Sequence, residues 1–218
     1  SEVLVAASDQ GVVLLNLKDG ARRELTAAPA NVTGLAADPC GERFACFADD
    51  KVQVRRVADG ASVWEQPFPN GLARFAWSPD GRQLAVAEAL RPFETTVFEL
   101  EDDRITAHFQ DHELRVSCLV FHPDGRSLAS VGLDNRLVWR QVGHSVWRVS
   151  GEAGWHALRF SADGQRLAYE PVWGELGLLE VVPSTVFRQW RRTSPPQGEA
   201  SRMAVSSDGR LVATSSGR

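Results

Sequence analysis

The chain has 218 residues, which is enough for one well-packed core in one or two domains. Hydrophobic residues make up 43% and charged residues 24%, a composition that argues against a disordered, collagen-like or membrane-spanning protein. The net charge of −4 gives no general attraction to nucleic acid or to an anionic membrane, so neither is expected as a partner. The three cysteines, Cys40, Cys46 and Cys118, form no CxxC pair, which favours a reducing, cytoplasmic environment.

A strand-like run followed by a tight turn recurs five times along the chain. The turn glycines are Gly41, Gly81, Gly125, Gly164 and Gly209, at intervals of 40, 44, 39 and 45 residues. The mean of 42 is in the range of four-stranded propeller blades and is too long for leucine-rich or ankyrin repeats. In four of the five turns an Asp before the glycine supplies a side-chain acceptor, and the glycine accepts a positive φ, so each turn joins two short strands.

Each repeat contains four β-rich runs in a fixed order. In the third repeat they are residues 116–121, 127–131, 137–139 and 145–149. The first two runs are apolar and the fourth is the most polar, as expected when neighbouring blades cover the inner strands and water reaches the outer one. No stretch shows a convincing 3.6-residue period. The sequence therefore predicts an all-β propeller of four-stranded antiparallel blades.

The third repeat carries a recognisable motif. Asp111-His112 precedes Val116 by the spacing of a Gly-His dipeptide, and FHPDGRSLASVGLD and the strand ending at Trp139 follow. This repeat resembles a WD-40 repeat, the blade unit of one large β-propeller family. The repeat length resembles that of the family along the whole chain, whereas the sequence motif is present only in this repeat.

The resemblance also implies a structural network. In the family a His, a Ser or Thr, an Asp and a Trp form a hydrogen-bonded tetrad within the blade. On this chain the tetrad would consist of His112, Ser130, Asp134 and Trp139. The sequence departs from the pattern in two places: Asp134 and Trp139 are five residues apart where the family usually has six, and Arg140 replaces the closing Asp.

The periodicity predicts a single WD-repeat-like propeller domain over residues 1–218. It divides into a partial blade 1–29, blades 30–70, 71–113, 114–153 and 154–197, and a partial blade 198–218. A ring of five blades could close by pairing the two chain ends, but residues 211–215 would then duplicate the strand that residues 3–7 already supply. The commoner seven-bladed ring would need about 294 residues, and we expect a fragment of such a larger propeller. All basic residues except Lys18 and Lys51 are arginine, which is typical of a GC-rich bacterial gene, so we expect a module of a larger bacterial protein.

The sequence offers little enzymatic chemistry. It contains no GxxxxGK[ST], HExxH or GxSxG motif. Cys118 and His122 could supply two metal ligands from one strand, but a structural zinc site needs four, and we interpret the thiol as core filling. The turn acids Asp80, Asp124 and Asp163 recur once per blade, whereas acid–base catalysis needs two converging carboxylates. We therefore expect no catalytic, metal or cofactor site.

One short cluster combines basic and aromatic residues, Arg188-Gln-Trp190-Arg191-Arg192. It could stack on and neutralise nucleic acid. It could equally be a solvent-exposed outer strand, and we favour this interpretation because one such cluster on an acidic chain attracts nucleic acid only weakly.

Five large side chains are predicted to lie in loops on one rim of the propeller: Phe68, Arg91, Phe93, Arg136 and Trp173. Aromatic residues beside arginine are typical of interface hot spots, although the same residues could pack on neighbouring loops. The sequence thus favours a non-catalytic scaffold whose rim binds a protein partner or other domains of the same polypeptide. The alternative is an accessory or gating domain of a hydrolase or peptidase, which the full reading frame would distinguish.

Overall fold

The computed structural model describes residues 3–8, 11–25, 29, 31–142, 146–150, 155–171, 177–180, 188–191, 200–205 and 212–216. In these ranges every regular element is a β-strand, and no helix is present that could cross a membrane. The strands form six antiparallel sheets in chain order. One has three strands, four have four strands and one has two. The repeated four-stranded sheets confirm the predicted all-β fold.

The strands follow one another without crossovers, and each pairs with its neighbours in sequence. The first three sheets comprise β1 (Val3–Ser8), β2 (Gly11–Asn16) and β3 (Arg22–Leu25); β4 (Gly34–Ala37), β5 (Arg43–Ala48), β6 (Lys51–Arg56) and β7 (Ser62–Pro67); and β8 (Leu72–Trp77), β9 (Gln83–Glu88), β10 (Thr95–Glu99) and β11 (Arg104–Phe109). The others comprise β12 (Val116–Phe121), β13 (Ser127–Gly132), β14 (Arg136–Gln141) and β15 (Val146–Ser150); β16 (Trp155–Phe160), β17 (Arg166–Pro171), β18 (Gly177–Glu180) and β19 (Arg188–Arg191); and β20 (Ala200–Val205) and β21 (Val212–Ser216).

The turns between the first two strands of the sheets share one geometry. Gly81, Gly125 and Gly164 have φ of 70°, 68° and 70°, and each donates its N–H to the carbonyl three residues earlier. The aspartate before the glycine accepts a further N–H, as Asp80 does from Arg82 at 3.0 Å. Side-chain acceptor and left-handed glycine together close the turn locally, so sequence alone specifies it. The turn at Gly209 lies outside the described residues.

Apolar clusters lie between successive sheets and form the core. Ala85, Ala87 and Val97 of the third sheet pack against Leu119 and Leu128 of the fourth. Equivalent clusters join the first sheet to the second, the second to the third and the fourth to the fifth. The first strands β4, β8, β12, β16 and β20 contact one another in turn and therefore line the axis of the propeller.

The connections between strands emerge on two sides. The loops 68–71, 89–94, 110–115 and 133–135 lie on one side, which we call the loop face. Backbone hydrogen bonds link neighbouring loops: Ala89 donates its N–H to Gly71, and Leu133 donates to Arg115, both at 3.0 Å. The Asp–Gly turns lie on the other side, the turn face. The loop face holds His112 and Asp134 of the motif and the predicted rim residues Phe68, Arg91 and Phe93.

Candidate functional site

Three of the four predicted tetrad residues form one hydrogen-bonded relay. His112 lies in loop 110–115, Ser130 on β13 and Asp134 in the turn after β13. The His112 Nε2 is 2.8 Å from the Ser130 Oγ, and its Nδ1 is 2.9 Å from Asp134 Oδ1. His112 and Ser130 are buried, with 3% and 5% of their surfaces exposed. Gly132 makes this approach possible, because a Cβ there would lie 2.5 Å from His112 Nδ1.

The carboxylate at the end of the relay is held in its ionised form. Burial acts to raise the pKa of Asp134, but the hydrogen bonds from His112 and from the Glu113 N–H outweigh it, and the pKa lies below its ordinary value. Because this carboxylate only accepts, Nδ1 of His112 carries the proton that joins them. In the neutral ring Nε2 then accepts the Ser130 hydroxyl hydrogen. Hydrogen bonds therefore run from Ser130 through His112 to Asp134.

The predicted position of Trp139 in the tetrad is wrong. Trp139 pairs with Ala129 across β13 and β14, whereas Ser130 pairs with Val138. Cross-strand partners share a face and successive residues alternate, so Trp139 and Ser130 are on opposite faces of the sheet. The indole packs toward the next sheet, with its centroid 5.0 Å from that of Phe160. Because the spacing between Asp134 and Trp139 is one residue shorter than in the family, the indole lies on the face of the sheet opposite Ser130.

Arg140 lies on the same face of the sheet as Ser130, opposite to Trp139. Its guanidinium binds both carboxylate oxygens of Asp111 at 2.6 Å and lies 4.3 Å from the centroid of Phe109. The side chain of Asp111 is 2% exposed and that of Arg140 is 18% exposed. The two residues that depart from the motif, Asp for Gly and Arg for Asp, thus form a buried, bidentate ion pair. Sequence reasoning missed the pair, although two departures of opposite charge were a signal for it.

The five predicted rim residues have different surroundings. Phe68 is 5% exposed and packs in the core with Trp64 and Phe98, so its prediction as a contact residue is wrong. Arg91 is exposed, and its guanidinium lies 5.5 Å from the centroid of the half-buried Phe93.

Of the other two predicted rim residues, one lies on the fourth sheet. Arg136 begins β14, and its Nη1 is 2.8 Å from Glu113 Oε1, an ion pair that ties loop 110–115 to the strand. Trp173 lies outside the described residues.

Sequence reasoning also missed three exposed leucines on the loop face. Leu90, Leu114 and Leu133 are 61%, 41% and 50% exposed. They lie in the successive loops 89–94, 110–115 and 133–135, beside Arg91 and Arg115. A lone leucine in a loop carries no sequence pattern, so only the exposed surface reveals the group.

The candidate metal ligands have other partners. Cys118 Sγ accepts the Leu158 N–H at 3.3 Å, and His122 Nε2 is 3.0 Å from the Gly164 carbonyl oxygen. Both side chains therefore join the fourth sheet to the fifth. Among the described residues no group of three or more histidine, cysteine or acidic side chains could hold a metal ion.

Comparison with known proteins agrees with this architecture. The crystal structure of the Myceliophteria thermophila Cps50 (Swd1) β-propeller domain superposes with a TM-score of 0.80 at 15% identity, over 99% of this chain and 76% of that one. The fold is therefore that of a β-propeller.

Two sequence matches agree with the WD-40 resemblance of the third repeat. The "WD domain, G-beta repeat" family matches residues 103–139, which include the relay. Protein hir1 of Schizosaccharomyces pombe is 30% identical over 111 residues, 46% of this chain and 12% of that protein. Together with the propeller fold, these matches support a likeness to WD40-repeat β-propellers. The chain spans about an eighth of hir1, and because these relatives are eukaryotic, bacterial origin stays a prediction.

Proposed function

We propose that this chain is a non-catalytic scaffold, a module of a larger protein, that binds a protein partner through its loop face. Domains of this family typically serve as protein-interaction scaffolds. The observation that carries the proposal is the group of exposed leucines, Leu90, Leu114 and Leu133. Exposed apolar side chains on one face, with arginine in the same loops, are typical of the core of a protein interface.

The loop that carries Leu114 is held rigidly. Asp111 anchors it to Arg140, and His112 anchors it to Ser130 and Asp134. A preorganised surface loses little conformational entropy when a partner binds. These buried anchors therefore support a binding role for the side chains that the loop exposes.

The relay has the order of a catalytic triad, but its burial supports a structural role. A serine nucleophile must reach its substrate from an exposed position, as on the sharp turns that present it in hydrolases. Ser130 lies in the middle of β13 and is 5% exposed, so its hydroxyl has no access to a substrate. The relay thus fixes the loop that covers it.

A triple variant, Leu90→Ser, Leu114→Ser and Leu133→Ser, tests the proposal. We expect capture of native partners from a lysate of the source cells to fall at least tenfold, roughly 1.4 kcal/mol, without loss of melting temperature. Phe93→Ala should give a smaller loss, because this ring is half-buried beside Leu90.

The matched control replaces three equally exposed apolar residues away from the loop face: Leu17→Ser, Val63→Ser and Ile105→Ser. These side chains are 60%, 50% and 56% exposed. Equal capture by both triple variants and the wild type would mean that the loop face is not the interface. Equal loss in both would mean that the effect is unspecific.

A further inference from the structure

A cavity of about 680 Å³ lies between the second and third sheets, beside the turns that follow β4 and β6. Val54, Val63 and Trp64 of the second sheet line it, and so does Leu100, which follows β10 of the third. Small-molecule sites have volumes of roughly 300–1,000 Å³ and mostly apolar walls. The cavity therefore has the size and the lining of a ligand site, and it lies away from the loop face.

Two arginines also line the cavity, and a carboxylate neutralises each of them. Arg43 Nε is 3.2 Å from Oδ2 of Asp38, whose side chain is 1% exposed. Arg56 binds the two carboxylate oxygens of Asp59, Oδ1 through Nε and Oδ2 through Nη2, both at 3.0 Å. Neither arginine therefore adds net positive charge to the cavity.

Two carboxylates near the cavity lack a cationic partner among the described residues. Glu42 lines the cavity, and its carboxylate forms no hydrogen bond or ion pair within the described chain. Asp103 accepts the Trp64 indole N–H at 2.6 Å and the Gln66 side-chain N–H at 3.0 Å, and both of these donors are neutral. The cavity is therefore left with an excess of negative charge, which attracts cations.

The indole of Trp64 is fixed in the cavity wall. Only 9% of this residue is exposed, and its ring meets that of Phe98 edge to face with centroids 5.1 Å apart. The indole N–H donates to the Asp103 carboxylate, and an anionic acceptor increases the electron density of the ring. A cation is attracted to an electron-rich aromatic ring, and most strongly to an indole. The wall thus favours a ligand that carries a positive charge.

We propose that this cavity binds a small organic cation, an ammonium group attached to an apolar ring system. The ring system packs between Val63 and Leu100, and the ammonium group binds the Glu42 carboxylate. Val63 is 50% exposed, so a ligand in this position removes apolar surface from water. An anion of the same shape would be repelled by Glu42 and Asp103, whereas a neutral molecule would gain only the apolar contact.

Three naphthalene probes of similar shape test this charge preference at about pH 7: naphthylmethylamine is a cation, naphthylmethanol is neutral and naphthylacetate is an anion. The indole N–H resonance of Trp64, followed by NMR in the isotope-labelled chain, reports binding at the cavity. We expect a saturable shift with the amine, and about tenfold weaker binding of the alcohol, which lacks the charged hydrogen bond to Glu42. The acetate should bind more weakly still.

Glu42→Gln should reduce the affinity for the amine to that for the alcohol, and Val63→Arg, which places a bulky cation at the cavity, should weaken amine binding about tenfold. The matched controls are Glu65→Gln and Ile105→Arg, at exposed positions of outer strands that do not line the cavity, and both should bind the amine as the wild type does. The proposal is overturned if no probe shifts the resonance, if the amine is not the tightest of the three, or if Glu42→Gln or Val63→Arg binds the amine as the wild type does. None of these variants alters the loop face, so such a failure would leave its proposed role untouched.

Discussion

The third and fourth sheets fill the same position beneath the loop face in opposite ways. Phe68 stands four residues before β8 and His112 four residues before β12, and both lie over the second strand of their sheet. By register, Val86 on β9 is equivalent to Ser130 on β13. The third sheet therefore contains an apolar pair, Phe68 and Val86, where the fourth contains part of a polar relay.

The neighbouring position shows the same contrast. Phe98 pairs with Leu84 on β9, and Arg140 pairs with Leu128 on β13. Leu84 and Leu128 occupy equivalent positions in their sheets, so Phe98 and Arg140 are equivalent too. Phe98 packs against Phe68 with ring centroids 6.0 Å apart, whereas Arg140 binds Asp111. The space beneath the loop face must be filled, and any polar atoms in it must be paired. The third sheet fills it with apolar side chains, and the fourth sheet fills it with the hydrogen-bonded motif residues.

Phe68→Ala should have the largest effect, because it removes the larger side chain of the apolar pair in the third sheet. We expect about 4 kcal/mol loss in the free energy of unfolding, measured by urea denaturation, since the ring is 5% exposed in a packed cluster. Phe93→Ala is the control, because its ring is half-buried and should cost much less. Equal costs for the two variants would contradict the assignment of Phe68 to the core.

Arg140→Ala should have the next largest effect. It leaves the buried Asp111 carboxylate without its guanidinium, and breaking a buried pair costs about 3 kcal/mol in urea denaturation. The double variant Asp111→Ala/Arg140→Phe copies the apolar solution of the third sheet, where Phe98 is equivalent. It should recover at least half of the loss; no recovery would mean that the two solutions are not interchangeable.

His112→Phe should cost about 2 kcal/mol, because the Ser130 hydroxyl and the Asp134 carboxylate lose a buried hydrogen-bond partner. Adding Ser130→Val recreates the Phe–Val pair of the third sheet and should restore part of the free energy of unfolding. Trp139→Phe is the control on the opposite face: the His112 ring proton resonances should not move. A shift of those resonances in Trp139→Phe would mean that the indole belongs to the relay.

The smallest expected effect is on pH dependence. The pKa of Asp134 is lowered in the folded chain, so its ionised form stabilises the fold above about pH 4, the unfolded value. As pH falls through the folded pKa, the carboxylate is protonated and this stabilisation is lost. Urea midpoints from pH 5 to 2 should therefore fall less steeply for Asp134→Asn than for the wild type. Parallel curves would show that the relay does not hold the carboxylate ionised.

The relay was predictable from sequence as far as local spacing determines it. His112, Ser130 and Asp134 follow from the motif, because β12 and β13 are neighbours in sequence and pair with each other, which brings loop 110–115 beside the turn after β13. Trp139 does not, since side chains alternate along a strand and a spacing of five instead of six reverses the face. The shortened spacing and the opposite charges of Asp111 and Arg140 were visible in the sequence. That Arg140 would lie on the face opposite Trp139 and bind Asp111 became clear only in the folded sheet.

The sequence by itself determined the four-strand repeat, the Asp–Gly turns and the loops in which Phe68, Arg91 and Phe93 lie, because these depend on residues close together in the chain. Only the tertiary structure decided which of those side chains are exposed. Phe68 is buried because β9 and β10 bring Val86 and Phe98 beneath it, whereas nothing in the described chain covers Leu90. Burial depends on contacts between residues distant in sequence, and the sheets must assemble before those contacts exist.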